Sequence, residues 1–160
     1  MQYTLVDLLK PEHIATGLES QDTGQVIHAL TDLLVQSGSA GPEFADDVLT
    51  REQTFPTGLP TQPVPVAIPH ADPVHLIRSA VAIGVLKTPV QFGQMGTDGS
   101  TILDAKIVFL LAIKEREKQV EMIQQLIALI QSPDLLLGLT RAKDANEALR
   151  LIHQTLHLSR

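Results

Sequence analysis

The sequence predicts an α/β protein whose central strands are covered by helices on both faces, and three observations carry that reading. Residues 80–86 and 107–113 are apolar at odd and even positions alike, the pattern of strands buried on both sides. Around them run segments with apolar side chains at helical spacing. Apolar residues make up 44% of the chain and aromatics only 3%, so the interior must be built from Leu, Ile, Val and Ala, which suits an α/β core. A length of 160 residues fits one domain, 1–160, and neither an internal repeat nor a domain boundary is visible.

Along the chain, Thr23 is the expected cap of a helix with Val26, Leu30, Leu33 and Leu34 at helical spacing and Gly38 at its end. A second helix is expected after Pro42, with Phe44 and Val48 facing inward. Residues 55–73 hold six prolines and one glycine, which excludes a long helix and demands extended or turn backbone. Within them residues 64–68 can form a short strand, at an edge or a strand entry because Pro65 has no N–H to donate.

Residues 90–92, after the turn Lys87-Thr88-Pro89, are expected to pair beside the two buried strands. Residues 95–100, with two glycines and small polar side chains, read as an exposed loop and a candidate mobile rim. Residues 117–130 read as a helix with Val120, Ile123, Leu126, Ile127 and Ile130 along one wide face, stopped by Ser132-Pro133. A short helix over 133–138 is expected next. The last helix starts at Asp144 as cap and buries Ala148, Leu149, Ile152 and Leu156.

Charge and composition remove several classes of function. A net charge of −6, a pI near 5.4 and no run of Lys or Arg longer than two leave no footprint for DNA or RNA. The absence of cysteine excludes disulfides, thiolate zinc sites and a thiol nucleophile. The start Met1-Gln2-Tyr3-Thr4-Leu5 lacks a basic segment followed by an apolar one, so a cytoplasmic location is expected. No apolar segment approaches the roughly 18 residues that a membrane-spanning helix requires.

Among six histidines, His13, His28, His153 and His157 lie near the ends or on expected helices, where a solvated or partly buried imidazole is the ordinary case. His70 differs: Pro69 fixes the approach to it, and it follows a strand end, where α/β sheets present reactive groups. A neutral imidazole is a nucleophile with one bare nitrogen and one N–H, sufficient to accept a phosphoryl group when a cation stabilises the oxygens. Arg51 could be that cation, its guanidinium forking onto phosphate, or it could be an exposed residue at a helix end. His70, Asp72 and His75 could instead be read as zinc ligands, although Pro73 interrupts their spacing.

Taken together, Arg51-Glu52, Phe55-Pro56-Thr57-Gly58 and Ala67-Ile68-Pro69-His70, followed by an apolar strand from Ala80, resemble the fructose/mannitol-type enzyme IIA family of the bacterial phosphoenolpyruvate-dependent sugar phosphotransferase system. The resemblance runs over essentially the whole chain. It implies a mixed sheet of about five strands flanked by helices, a phosphohistidine at His70 carried on Nε2, phosphate received from HPr and delivered to an enzyme IIB, and no cofactor. The link to the membrane enzyme IIC would be indirect, and with no IIB fused to it the domain would meet partners by diffusion across a modest, partly apolar surface around His70.

Where several family members carry a second histidine, at the start of the helix after the last strand, this chain has Gln119. Phe-Pro-Thr-Gly, Gln119 and His75 together are similar to the galactitol-specific branch. His75 could donate to phosphoryl oxygens or cap the turn after Pro73. A regulatory domain similar to nitrogen-type enzyme IIA proteins is the alternative that the resemblance leaves open.

Overall fold

The computed structural model describes residues 3–158, in the order β1 (Ile14–Leu18), α1 (Thr23–Gln36), α2 (Phe44–Thr54), β2 (Gly58–Leu59), β3 (Val66–Ala67), β4 (Ala80–Gly93), β5 (Ile102–Ala112), α3 (Arg116–Leu129), α4 (Pro133–Arg141) and α5 (Ala145–Leu158). Met1 and Gln2, with which the start Met1-Gln2-Tyr3-Thr4-Leu5 opens, lie outside the described residues, as do residues 159–160. The five strands form one mixed sheet in the order β1-β4-β5-β3-β2, parallel at β1/β4 and β3/β5 and antiparallel at β4/β5 and β2/β3.

The doubly apolar segments become the central pair, with Ala80 opposite Ala112 and Ile83 opposite Phe109. Side chains alternate across the sheet, so each face has its own core. Val81, Ile83, Val85, Ile107, Phe109 and Leu111 pack with α3, α4 and α5. Ala82, Leu86, Val108 and Leu110 pack with Val26, Leu30 and Leu34 of α1 and Phe44 and Val48 of α2. These two layers are the helices on both faces that the sequence predicts.

Five local expectations are revised. Asp22, not Thr23, caps α1, accepting from Gln25 N, while the Thr23 hydroxyl donates to Gln91 O. Residues 90–92 are not a separate strand but the continuation of β4 past an irregularity between Val85 and Val90. The expected strand at 64–68 shrinks to Val66–Ala67 and is not an edge, because β2 pairs outside it, but Pro65 does stand at the strand entry, where its carbonyl accepts from Lys106 N. In α3 the core line is Met122, Leu126 and Leu129, and Val120 is 64% exposed. Helix α4 runs on to Arg141, its first turn capped by the Ser132 hydroxyl.

The bend in β4 brings a loop up to the end of the sheet. Beyond it, the strand curls round until Gln94 bridges Gly58 of β2 and Met95 N donates to Gly58 O at 2.8 Å. The Met95–Gly96–Thr97 turn therefore stands beside β2 and β3, close to the end of β3 where His70 follows. Gly58 is required there: a Cβ would fall 2.6 Å from Gly93 O.

Candidate functional site

After β3 the chain continues beside β5, with Leu111 N donating to Pro69 O at 3.0 Å and His70 bridging Leu111. This holds the His70 backbone at the sheet's end. His70 is 8% exposed, and its Nδ1 lies 2.8 Å from Ile68 O. A carbonyl can only accept, so Nδ1 bears the proton and Nε2 keeps its lone pair. Burial chiefly lowers the pKa of this histidine, assisted by the Arg51 charge and opposed by the Ile68 carbonyl and Asp72. His70 is therefore neutral at pH 7, the nucleophilic form.

Arg51 lies in the last turn of α2. It shares a cavity of about 450 Å³ with His70, whose walls also include Phe55, Thr57 and Met95. Its guanidinium carbon sits 4.8 Å from the centre of the Phe55 ring, a cation–π contact that holds the group in place. Its Nε is buried and finds no hydrogen-bond partner among the described residues, and no ion pair among them includes Arg51. An unpartnered guanidinium beside a neutral imidazole fits an anion that reacts at the imidazole.

The loop between α2 and β2 is fixed from within. Glu52 is buried; its Oε2 accepts from Thr57 N at 2.9 Å and its Oε1 from the Thr57 hydroxyl at 2.8 Å. Burial raises the Glu52 pKa, while both Thr57 bonds favour the carboxylate. Pro56 packs on Gly93, where a Cβ would approach it to 2.9 Å. The Arg-Glu and Pro-Thr-Gly pairs are thus one device: Glu52 ties down Thr57, and Arg51 on the same turn meets the cavity.

His75 is not brought to the His70 cavity. It ends a turn at Pro73–His75, where its Nδ1 meets Asp47 of α2, which raises the His75 pKa. Asp72 lies 3.4 Å from Arg116. Among the described residues no three His, Asp or Glu side chains converge as a metal site would need. Gln119 Nε2 donates to Ala71 O at 3.0 Å and so ties α3 to the residue after His70.

Of the other histidines, His28, His153 and His157 are exposed, but His13 is 2% exposed and bonds the Ser37 hydroxyl through Nε2 at 2.7 Å. Sequence reading missed Asp47 and the Glu52–Thr57 lock. The only signal for the lock is a glutamate spaced five residues before a threonine across a proline.

A mixed sheet with this strand order and helices on both faces is also the fold of solved IIA proteins of sugar phosphotransferase systems. A putative PTS IIA (PtxA) from Streptococcus mutans superposes with a TM-score of 0.79, over 97% of this chain and 96% of that one, at 24% identity. The complex of enzyme IIAMtl with phosphorylated enzyme IIBMtl from Escherichia coli gives a TM-score of 0.76, over 91% and 97%, at 22% identity.

The sequence profile described as phosphoenolpyruvate-dependent sugar phosphotransferase system, EIIA 2, matches residues 7–155, and the chain belongs to this family. It is a component of phosphoryl transfer. The galactitol-specific EIIA component of Escherichia coli (strain K12) is 23% identical over 122 residues, 76% of this chain and 80% of that protein.

Proposed function

We propose that this chain is a phosphoryl carrier that receives phosphate from phospho-HPr on His70 Nε2 and passes it to a sugar-specific enzyme IIB, for galactitol or a related polyol. The reading rests chiefly on one contact, the bond from His70 Nδ1 to Ile68 O, which leaves Nε2 as the nucleophile. The galactitol assignment is supported by the similarity to the Escherichia coli component and by Gln119. Support for a IIB partner comes from the structural likeness to a IIA captured with its IIB.

The chemistry needs nothing beyond these groups. The Nε2 lone pair attacks the donor's phosphorus, a P–N bond forms at Nε2, and the donor's P–N bond breaks with its electron pair left as the lone pair of the donor nitrogen, so each ring keeps the proton on its other nitrogen and no proton changes hands. Nδ1 keeps its proton, donated to Ile68 O, throughout. Arg51 faces the equatorial oxygens, where charge spreads in the loose transition state. Delivery to IIB is the same step reversed, with an acceptor side chain of IIB as nucleophile. No organic cofactor or metal takes part.

Phe55 and Val74, 58% and 68% exposed beside the site, suit a surface on which partners dock briefly. Among the described residues no single helix is long and apolar enough to span a membrane. We place the carrier in the cytoplasm, coupled to enzyme IIC only through IIB.

Incubation with phosphoenolpyruvate, enzyme I and HPr, followed by intact-mass measurement at mildly alkaline pH, is expected to show one added phosphoryl group. His70→Ala is expected to take up none while keeping a cooperative melt. A wild-type chain that gains no mass would reject the reading.

A further inference from the structure

Two carboxylates line a cavity wall together with Arg51, yet no ion pair among the described residues includes it. A second cavity, of about 420 Å³, shares Arg51 with the His70 cavity, and its walls carry two carboxylates, Asp47 and Asp72. Asp47 stands four residues before Arg51 on α2, the spacing at which an acid and a base on one helix ordinarily pair. Each carboxylate instead meets a different donor: Asp47 meets His75 Nδ1, and Asp72 meets Arg116 at 3.4 Å. Of these, the His75–Asp47 contact is the better shielded, with side chains 38% and 31% exposed against 65% and 57% for Arg116 and Asp72. The adjacent Glu52 is held by Thr57.

We propose that His75 is a positioning residue whose task is to occupy Asp47, so that the Asp47 carboxylate does not pair with Arg51 and the guanidinium remains available to a phosphoryl group. His75 acts here without touching phosphate. The contact orients the Asp47 carboxylate toward the turn at Pro73–His75 and away from the i+4 partner on its own helix. Loss of His75 leaves Asp47 free to swing onto Arg51, where it both competes for the guanidinium and adds a negative charge beside an incoming anion. The proposal rests on the reading of His70 and Arg51 as the phosphoryl site.

The test measures the rate of phosphorylation by phospho-HPr in wild type, His70→Ala, His75→Ala and the double variant His75→Ala/Asp47→Asn. His75→Ala is expected to be slower by about two- to fivefold, the range an exposed ion pair can impose. The double variant is expected to return to the wild-type rate, since removing the competing carboxylate makes His75 unnecessary. A residue that merely braced the turn, or that donated to phosphate itself, would not be rescued by a change at Asp47. An unchanged rate in His75→Ala, or a double variant as slow as the single one, overturns the proposal. Failure of the site reading looks different: wild type takes up no phosphate, or His70→Ala still does.

Discussion

At the scale of single residues, the site depends on polar groups whose hydrogen bonds are committed elsewhere. His70 presents Nε2 because Nδ1 is committed to Ile68 O, and Arg51 meets the cavity on a turn that Glu52 locks to Thr57. Replacing Glu52 with Ala strands a buried backbone N–H and a buried hydroxyl at once. The expected loss is about 2–3 kcal/mol, larger than for Glu52→Gln, which keeps one acceptor. Urea unfolding of the two variants checks the order, and equal losses would show that the side chain's bulk matters rather than its bonds. The placement of His70 just past a strand end was legible in the sequence because proline before it and a strand behind it are local signals. The Glu52 lock was not, since a glutamate in the last helical turn ordinarily sits in water, and only the loop folding back over it makes it a buried acceptor. His75 was legible as a candidate but not in its partner, because Asp47 is twenty-eight residues away.

Elements follow the same division between local and tertiary causes. Strands β4 and β5 were visible because burial on both faces writes an unbroken apolar run, and α1 and α5 because their stripes are strong. β1 and β2 were not: one has five residues with Gly17 at φ 62°, the other has two, and each exists only by pairing with a neighbour. Helix α3 shows how a correct helix can carry a shifted face. Its apolar residues exceed what one stripe needs, and the row Val120, Ile123, Ile127 lies on the flank, half-buried at the latter two and exposed at Val120. Leu126→Ala is expected to cost about 3 kcal/mol, because its side chain is 1% exposed within the core. Val120→Ala is expected to change stability by no more than about 0.5 kcal/mol. If chemical denaturation ranks the two equally, the face assigned to α3 is wrong.

For the whole molecule, the two buried imidazoles tie folding to pH. His13, held against Ser37 near the start of β1, and His70, at the end of the sheet, both have pKa values lowered chiefly by burial. A lowered pKa means the unfolded chain binds the proton more readily, so the stabilising contribution is present above the ordinary histidine value, about 6.5, and is lost as pH falls below it. Glu52 works in the opposite sense, since its raised pKa favours the folded state as it takes up a proton, so the slope of the wild-type protein alone mixes the two. His13 separates them because it is not among the residues that line the His70 cavity. His13→Gln can keep a bond to Ser37 while removing the titration. Between pH 7 and 5 its unfolding free energy is expected to fall less steeply than that of the wild type, the two slopes differing by at most about 1.4 kcal/mol per pH unit, the limit for one proton. Urea unfolding at half-unit pH steps measures it, with phosphorylation by phospho-HPr at pH 7.5 as the control that the site is intact. Parallel slopes would mean that His13 titrates in the folded protein as it does in the unfolded chain, and that its burial leaves the proton's access unchanged.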